Sequence, residues 1–244
     1  MDIKITKALL TELSSVGISQ MIVDPTEKGT LFRGTNDNRS LILFDELGDN
    51  LTEMSLGIKS VNALLSRINL FDEEKAKIEL VATSEGYCRD IIVKQGRKRV
   101  SYRCHEPDTK YIQAPKHMPG TFTITEDNAI MFDKEYVSYL STAVSAMAYT
   151  GDKEERTIKV SADGGVVTVS IFDGSDDSFV DVVEGFDENL KLEGVFDVAS
   201  FSRVMKQSVN SPSNNGNAVF TISEQGVGVF RLEYMDILVH PSVS

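Results

Sequence analysis

The sequence predicts an α+β protein built from two similar halves. A segment with three prolines, 107–119, separates two stretches of similar length. Each stretch contains two amphipathic segments with helical spacing, and short runs of alternating apolar residues follow each of them. We therefore expect one domain at 1–106, an extended connector at 107–119 and a second domain at 120–244. Each domain should pack two helices on antiparallel sheet.

The first half begins with a predicted helix at 4–16, in which leucines recur at helical spacing and Gly17 follows as a C-cap. A second helix is predicted at 58–71, where apolar residues occupy every third or fourth position. Strands are predicted where apolar and polar residues alternate, at 19–24, 30–34, 40–44, 51–56, 77–83, 87–94 and 99–105.

The second half repeats this order. Asp133 and Asp197 are the predicted N-caps of helices at 134–149 and 198–210. Strands are predicted at 120–126, 157–162, 166–172, 178–184, 190–196, 217–223, 226–234 and 236–241. The two halves share a pattern of elements while their residues differ, so the sequence predicts a structural duplication.

The chemistry-bearing residues give little support to an enzyme. Cys88 and Cys104 lie symmetrically about Gly96, so they could face each other across a hairpin, and without an export signal we expect reduced thiols. No metal-ligand spacing, phosphate-binding loop or nucleophile motif is present. We therefore expect no metal and no cofactor. No stretch approaches the ~20 apolar residues of a membrane span.

Charge is unevenly distributed along the chain. The net charge is −12, yet residues 1–118 hold 17 bases and 17 acids, whereas residues 119–244 hold 8 bases and 20 acids. An acidic total normally argues against binding to nucleic acid, because phosphates repel it. That argument fails if the bases are gathered on one surface, so their location matters more than their sum.

The four predicted helices concentrate the bases. They hold seven bases and two acids, and their polar faces use Ser, Thr, Asn and Gln, with Glu12 at a rim and Ser202 exposed. One such face is usually an ordinary solvated surface. Four of them in an acidic chain favour weak, sequence-independent contact with duplex phosphates. The candidate DNA-facing residues are Lys4, Lys7, Lys59, Arg67, Lys134, Arg203 and Lys206.

A second group of bases surrounds the predicted turn at Gln95 and Gly96. Two interpretations are equally open, a solvated hairpin tip and a second contact with phosphates. The group consists of Lys94, Arg97, Lys98, Arg99 and Arg103.

Three segments of the first half resemble the DNA polymerase sliding clamps, and the T-even-type phage clamps most closely. They are ALLTELSSVGISQMIV (8–23), MSLGIKSVNALLSRINLFDEEKAKIEL (54–80) and PDTKYIQAPKHMPG (107–120). In the second half, the resemblance rests on element order and on QGVGVFRLEYMDILV (225–239). It implies a closed ring of six clamp-type domains, and hence a homotrimer, whose helices line a hole for double-stranded DNA. The implied partners are a DNA polymerase and a clamp loader.

The resemblance also implies a pocket for the polymerase tail beside the connector and the C-terminal strand. For the apolar residues before Pro241, pocket and core are equally open interpretations. The matching residues are Tyr111, Ile112, Met118, Pro119, Ile237, Leu238, Val239 and Pro241.

The sequence thus favours a non-enzymatic clamp in the cytoplasm, that of an infected host cell if the protein is viral. The alternative is a two-domain viral structural or adaptor protein whose basic faces are incidental. A hydrolase based on carboxylates is less favoured, because nothing in the sequence pairs them.

Overall fold

A computed structural model describes residues 2–117, 123–147, 156–172 and 178–242. The chain divides into two compact units, Met1–Pro119 and Gly120–Ser244. In the described part, each unit contains two α-helices and antiparallel strands, so the α+β prediction is confirmed.

Unit 1 contains two sets of paired strands. Strands β4, β1, β2 and β3 pair in that order, and β5, β6 and β7 form a separate sheet. In chain order the elements are α1 (Ile3–Val16), β1 (Gln20–Pro25), β2 (Thr30–Thr35), β3 (Leu41–Leu47), β4 (Leu56–Ile58), α2 (Val61–Ile68), β5 (Lys77–Ala82), β6 (Cys88–Gln95) and β7 (Lys98–Arg103).

Unit 2 follows the same plan. Strands β11, β10, β9 and β12 pair in that order, as do β15, β14, β13 and β8. The elements are β8 (Ile130–Asp133), α3 (Lys134–Met147), β9 (Thr157–Asp163), β10 (Val166–Phe172), β11 (Ser178–Glu184), β12 (Leu192–Asp197), α4 (Val198–Asn210), a 3₁₀ turn (Pro212–Asn214), β13 (Asn217–Ile222), β14 (Gly228–Arg231) and β15 (Asp236–Val239).

Local sequence explains where three of the helices begin or end. Asp2 caps α1 by accepting hydrogen bonds from the backbone of Lys4 and Ile5, and Gly17 ends it in the left-handed conformation, φ +94°. Asp133 and Asp197 accept from the third residue after each of them, at 2.7 Å, so both predicted caps are confirmed.

The second helix is shorter than predicted. Residues 56–58 form β4, which pairs with β1, and helix α2 starts only after Ser60, whose hydroxyl accepts from the backbone of Ala63 at 3.2 Å. The predicted strand at 51–56 is wrong except for its last residue, because residues 51–55 belong to no strand. Lys59 therefore lies on the link between β4 and α2.

The start of unit 2 also differs from the prediction. Residues 123–126, the described part of the predicted 120–126 strand, are not in a strand, and 120–122 lie outside the described residues. The first strand is instead β8, which pairs with β13 and leads directly into α3. Helix α3 is described to Met147, and the last two residues of its predicted span lie outside the described residues.

Candidate functional site

In unit 1, helices α1 and α2 pack side by side, and Ser14 donates a hydrogen bond to Asn62 across them. The two bases of α1, Lys4 and Lys7, form ion pairs with acids of the same unit. The ammonium of Lys4 lies 2.5 Å from a carboxylate oxygen of Glu74, and that of Lys7 lies 3.1 Å from Glu73. The hydrogen bond to Glu74 raises the pKa of Lys4 above its ordinary value. Both acids follow α2 in sequence and lie outside the four predicted helices.

The other two candidate bases of unit 1 behave differently. Lys59 is exposed and forms no ion pair with any residue that the structure describes. The Arg67 guanidinium lies over the Tyr102 ring, 5.3 Å from its centroid, and donates to the carbonyl of Ala63 at 2.7 Å. Arg67 is therefore held against its own unit by two contacts, whereas no ion pair with a described residue holds Lys59.

In unit 2, Lys134, Arg203 and Lys206 are exposed and have no ion-pair partner among the described residues. A groove of about 470 Å³ runs between α3 and α4. Short hydroxyl side chains dominate its α3 wall, and a lysine stands on each side. It is lined by Lys134, Val137, Ser138, Ser141, Thr142, Ser145, Lys206, Val209 and Asn210.

Three of the groove hydroxyls are already engaged as donors. Ser141, Thr142 and Ser145 each donate to the backbone carbonyl four residues earlier, at 2.7, 3.1 and 2.8 Å. A hydroxyl has a single hydrogen to donate, so toward the groove these side chains present acceptor oxygens. The lysine ammonium groups supply the positive charge.

Two side chains expected at the surface are buried. Ser202 is 7% exposed and Glu12 is 6% exposed. Helix α4 is buried over a wider arc than its apolar stripe, because serines 200, 202 and 208 are buried beside Phe201 and Val204. Neither residue belongs to the surface that an external ligand meets.

The basic group around Gln95 and Gly96 is partly neutralised within unit 1. Lys94 pairs with Glu79, and Arg103 lies 3.3 Å from Asp90. Arg97, Lys98 and Arg99 form no ion pair with the described residues. These bases follow the β6–β7 hairpin onto β7, an edge strand of its sheet. This position is compatible with both interpretations of the group.

Cys88 and Cys104 meet near the open end of the same hairpin. Their sulfur atoms lie 3.9 Å apart, both residues are buried, and they are free thiols. The contact with Cys88, together with burial, raises the pKa of the Cys104 thiol. Among the described residues, no group of three or more His, Cys, Asp or Glu side chains is arranged to hold a metal. No described helix is both long and apolar enough to span a membrane.

The connector borders a groove of about 320 Å³ in unit 1. Ile112 is 4% exposed and lines it, whereas Tyr111 is 54% exposed and lies beside His105, with ring centroids 6.0 Å apart. Met118 and Pro119 lie outside the described residues. The lining residues are Thr35, Arg39, Ile42, Ile112, Gln113, Ala114 and Pro115.

The predicted partner residues near the C-terminus lie in unit 2. Ile237, Leu238 and Val239 are buried in β15, so the structure places these three side chains in the core. Pro241 forms an isolated bridge with Phe196, and Ser242 donates to the carbonyl of Val195 at 2.8 Å. The end of the chain therefore covers the free edge of β12.

Sequence reasoning missed two parts of the site. The groove residues on β2, β3 and the turn between them, Thr35, Arg39 and Ile42, carry no local signal, because strand pairing brings them to the connector. The acidic run Asp72–Glu74 was visible in sequence. Its pairing with the lysines of α1 depends on the path that the chain takes after α2, which the local sequence does not show.

Comparison with known proteins shows which solved structures share this architecture. No family model and no curated protein matches the sequence. Many solved structures match the chain, and the three given below match almost all of it. Proliferating cellular nuclear antigen (PCNA) from Entamoeba histolytica matches with a TM-score of 0.60 and 15% identity, over 97% of this chain and 94% of that one.

The A. fulgidus PCNA, solved with the C-terminal region of FEN-1 bound, matches with a TM-score of 0.59 and 12% identity, over 100% of this chain and 97% of that one. The DNA polymerase III subunit beta from Pseudomonas aeruginosa matches with a TM-score of 0.67 and 13% identity, over 98% of this chain and 64% of that one. The fold of this chain is therefore the sliding-clamp fold.

Proposed function

We propose that this chain is a non-enzymatic sliding clamp of the T-even phage type, which encloses duplex DNA and holds a DNA polymerase on it. The observation that carries the proposal is the sliding-clamp fold, which spans 97% of this chain and 94% of the Entamoeba PCNA. The charge distribution supports it, because the four predicted helical segments sum to +5 in a chain of −12. An acidic exterior disfavours binding of DNA anywhere else.

The proposed DNA-facing residues are the seven bases predicted from sequence. Lys59, Lys134, Arg203 and Lys206 have no ion-pair partner in the described part of the chain, so their ammonium and guanidinium groups are available to phosphates. Such contacts are weak, independent of sequence and sensitive to salt. Enclosure by the ring, rather than affinity, then keeps the protein on DNA.

A closed ring needs a repeated head-to-tail interface, for which we propose strands β7 and β11. Three other edge strands are less suited to pairing with a second copy in the described part of the chain: β12 is covered by Ser242, β5 has a bulge at Val81 and β4 bridges to His105. Strand β11 exposes Val180 and Val182, 57% and 56% exposed.

Charge favours pairing of β7 in one copy with β11 in the next. Strand β7 holds Lys98, Arg99 and Arg103 and no acid, whereas β11 holds Asp181 and Glu184 and no base. Opposite charges on facing strands stabilise their pairing, and the arginine stems can cover the two valines. Three copies of a two-domain chain give the six domains that the clamp resemblance implies.

Sedimentation velocity tests this assembly. We expect the wild-type chain to form trimers, in equilibrium with monomers, at micromolar concentration. The variant Lys98→Glu/Arg99→Glu should shift the equilibrium to monomer, and adding Glu184→Lys to the same chain should restore part of the trimer. A wild-type chain that stays monomeric, with and without DNA and clamp loader, contradicts the ring.

The partner site is proposed at the connector groove, with the clamp loader and the polymerase as its users. Ile42, Ile112 and Pro115 supply an apolar lining, and Arg39 places a cation at its border. The groove therefore suits a short apolar segment that carries an acidic group. The A. fulgidus PCNA, solved with the C-terminal region of FEN-1 bound, is a protein of this fold that binds the C-terminal region of another protein.

The full set of proposed partner residues combines the groove with the sequence prediction. Tyr111 and Ile112 belong to the connector of unit 1, whereas Ile237, Leu238 and Val239 are buried in β15 of unit 2, shortly before Pro241 in sequence. The set is Tyr111, Ile112, Met118, Pro119, Ile237, Leu238, Val239 and Pro241.

The function as a whole is tested by primer extension on a long primed template. Addition of the chain and its loader should lengthen the products of the polymerase, and excess unprimed competitor should not shorten them. Products of unchanged length, with a chain that assembles correctly, contradict the clamp function.

A further inference from the structure

One buried charge in unit 1 reaches the connector. Arg33 lies on β2 with its side chain 8% exposed. Its Nε and Nη2 donate to Asp24 on β1 at 3.1 and 2.6 Å. Its Nη1 and Nη2 donate to the two carboxylate oxygens of Asp108 at 2.9 and 3.2 Å, and Nη1 also donates to the carbonyl of Pro115 at 3.3 Å.

These bonds use all five N–H donors of the guanidinium. A buried charge is costly unless it is paired and hydrogen-bonded, and this one is satisfied by two carboxylates and one carbonyl. The planar fork of arginine makes such a bridge possible, because it can bind one carboxylate through two parallel bonds while it donates to other acceptors. Its hydrogen bonds hold the pKa of Asp108 below its ordinary value.

The position of the two connector contacts gives Arg33 a mechanical role. Asp108 and Pro115 stand at the two ends of the segment that walls the groove, and Ile112, Gln113 and Ala114 lie between them. This segment has no regular secondary structure, so few backbone hydrogen bonds of its own hold it.

Between these ends, the wall has a few further contacts. The backbone N–H of Gln113 donates to the side chain of Gln20 at 2.9 Å, and Arg39 donates to the Gln113 side chain at 2.8 Å. Ile112 packs on Gly57, since a Cβ added to Gly57 would lie 2.7 Å from the Cδ1 atom of Ile112. Arg33 is therefore the one residue whose side chain bonds both ends of the wall in the described part of the chain.

We propose that Arg33 is a positioning residue that fixes the connector wall, and that it thereby sets the affinity of the groove for a short apolar peptide with an acidic group. Arg33 does not line the groove and does not touch the peptide. The peptide chemistry follows from the apolar lining and from Arg39 at the border. The inference rests on the proposed partner site.

The experiment uses the full chain and two readouts. Hydrogen exchange measures the opening of segment 107–117, and fluorescence titration measures binding of a synthetic peptide with the last twelve residues of the DNA polymerase encoded by the same genome. The main variant is Asp108→Asn, because Asp108 is half exposed and its positive φ of +58° is tolerated by asparagine. Arg33→Met is the second variant.

The matched control is Asp24→Asn. It removes the partner of Arg33 on β1 and leaves both connector contacts in place. We expect Asp108→Asn to speed exchange in the connector about tenfold and to raise the peptide Kd about tenfold, since it replaces a charged acceptor of Arg33 by a neutral and weaker one. Arg33→Met should do at least as much, and Asp24→Asn much less.

Two results overturn the inference: unchanged exchange in Asp108→Asn, or faster exchange with an unchanged peptide Kd. Failure of the partner site has a different signature. If the wild-type chain does not bind the peptide, the affinity part of the inference fails with the partner site. The exchange measurement then still decides whether Arg33 holds the connector.

Discussion

The two helix pairs of this molecule carry similar formal charge but present it differently. Unit 1 has four candidate bases, of which Lys4 and Lys7 are paired with acids and Arg67 is held on Tyr102. Unit 2 has three, and all of them are exposed and without an ion-pair partner among the described residues. A count of bases therefore ranks unit 1 first, whereas availability to a phosphate ranks unit 2 first.

The largest effect is expected from reversing charge in unit 2. The triple variant Lys134→Glu, Arg203→Glu and Lys206→Glu removes three available contacts and replaces attraction by repulsion. We expect product length on a primed template to fall severalfold or more, and further at low salt, where repulsion is least screened.

The control for this variant is Lys28→Glu, Lys159→Glu and Lys191→Glu, which makes the same change in net charge away from the four helices. Equal losses in the two triple variants would show that net charge, and not the unit 2 helix faces, controls synthesis. Sedimentation of both variants should confirm that they still assemble.

A smaller effect, of opposite sign, is expected from Glu73→Gln with Glu74→Gln. These changes free Lys4 and Lys7 from their acids, so two further contacts become available in unit 1. The salt concentration that halves product length should rise. A fall in that concentration would mean that the acids orient the lysines toward DNA rather than occupy them.

A double-mutant cycle sharpens the same comparison. Lys4→Gln with Lys7→Gln should change product length by less than about twofold in the wild-type background, because exposed ion pairs leave these lysines only partly available. The same pair of changes should cost more once Glu73 and Glu74 are glutamine. Equal effects in both backgrounds would remove the distinction between the two helix pairs.

The smallest effect is expected from Arg67→Lys. Lysine keeps the charge but loses the planar contact with Tyr102 and the geometry of the bond to the carbonyl of Ala63. Unfolding free energy should fall by about 0.5–1 kcal/mol, measured by thermal or chemical denaturation, with product length unchanged. A large loss of synthesis would instead indicate a direct role for the guanidinium at DNA.

Local sequence predicted helices α1 and α4 closely, because caps and apolar spacing agree there. Local sequence did not predict the start of α2. The buried residues of Leu56–Ile58 and those of the helix together have a spacing that resembles one continuous helical stripe. Strand β8 is only four residues long and ends at a helix cap, so it gives little periodic signal.

The site was predictable only as far as it is local. The bases of the helices could be named from sequence, and the prolines of 107–119 predicted an extended connector. The pairing of Lys4 with Glu74 and the bridge from Arg33 to Asp108 join residues about 70 positions apart, and chain folding alone brings them together. No periodicity reports such contacts.

The hydroxyls along α3 have a consequence for movement. Ser141, Thr142 and Ser145 donate to their own helix, so the lone pairs left to them can only accept. If α3 faces DNA as proposed, these oxygens would repel phosphate oxygens, and water would stand between them. For a protein that moves along a duplex, such a surface would offer no deep minima of interaction energy that recur with each base pair. Friction along the axis of the DNA should then be low. The rate of diffusion should be limited by drag from the surrounding solvent more than by escape from bound states.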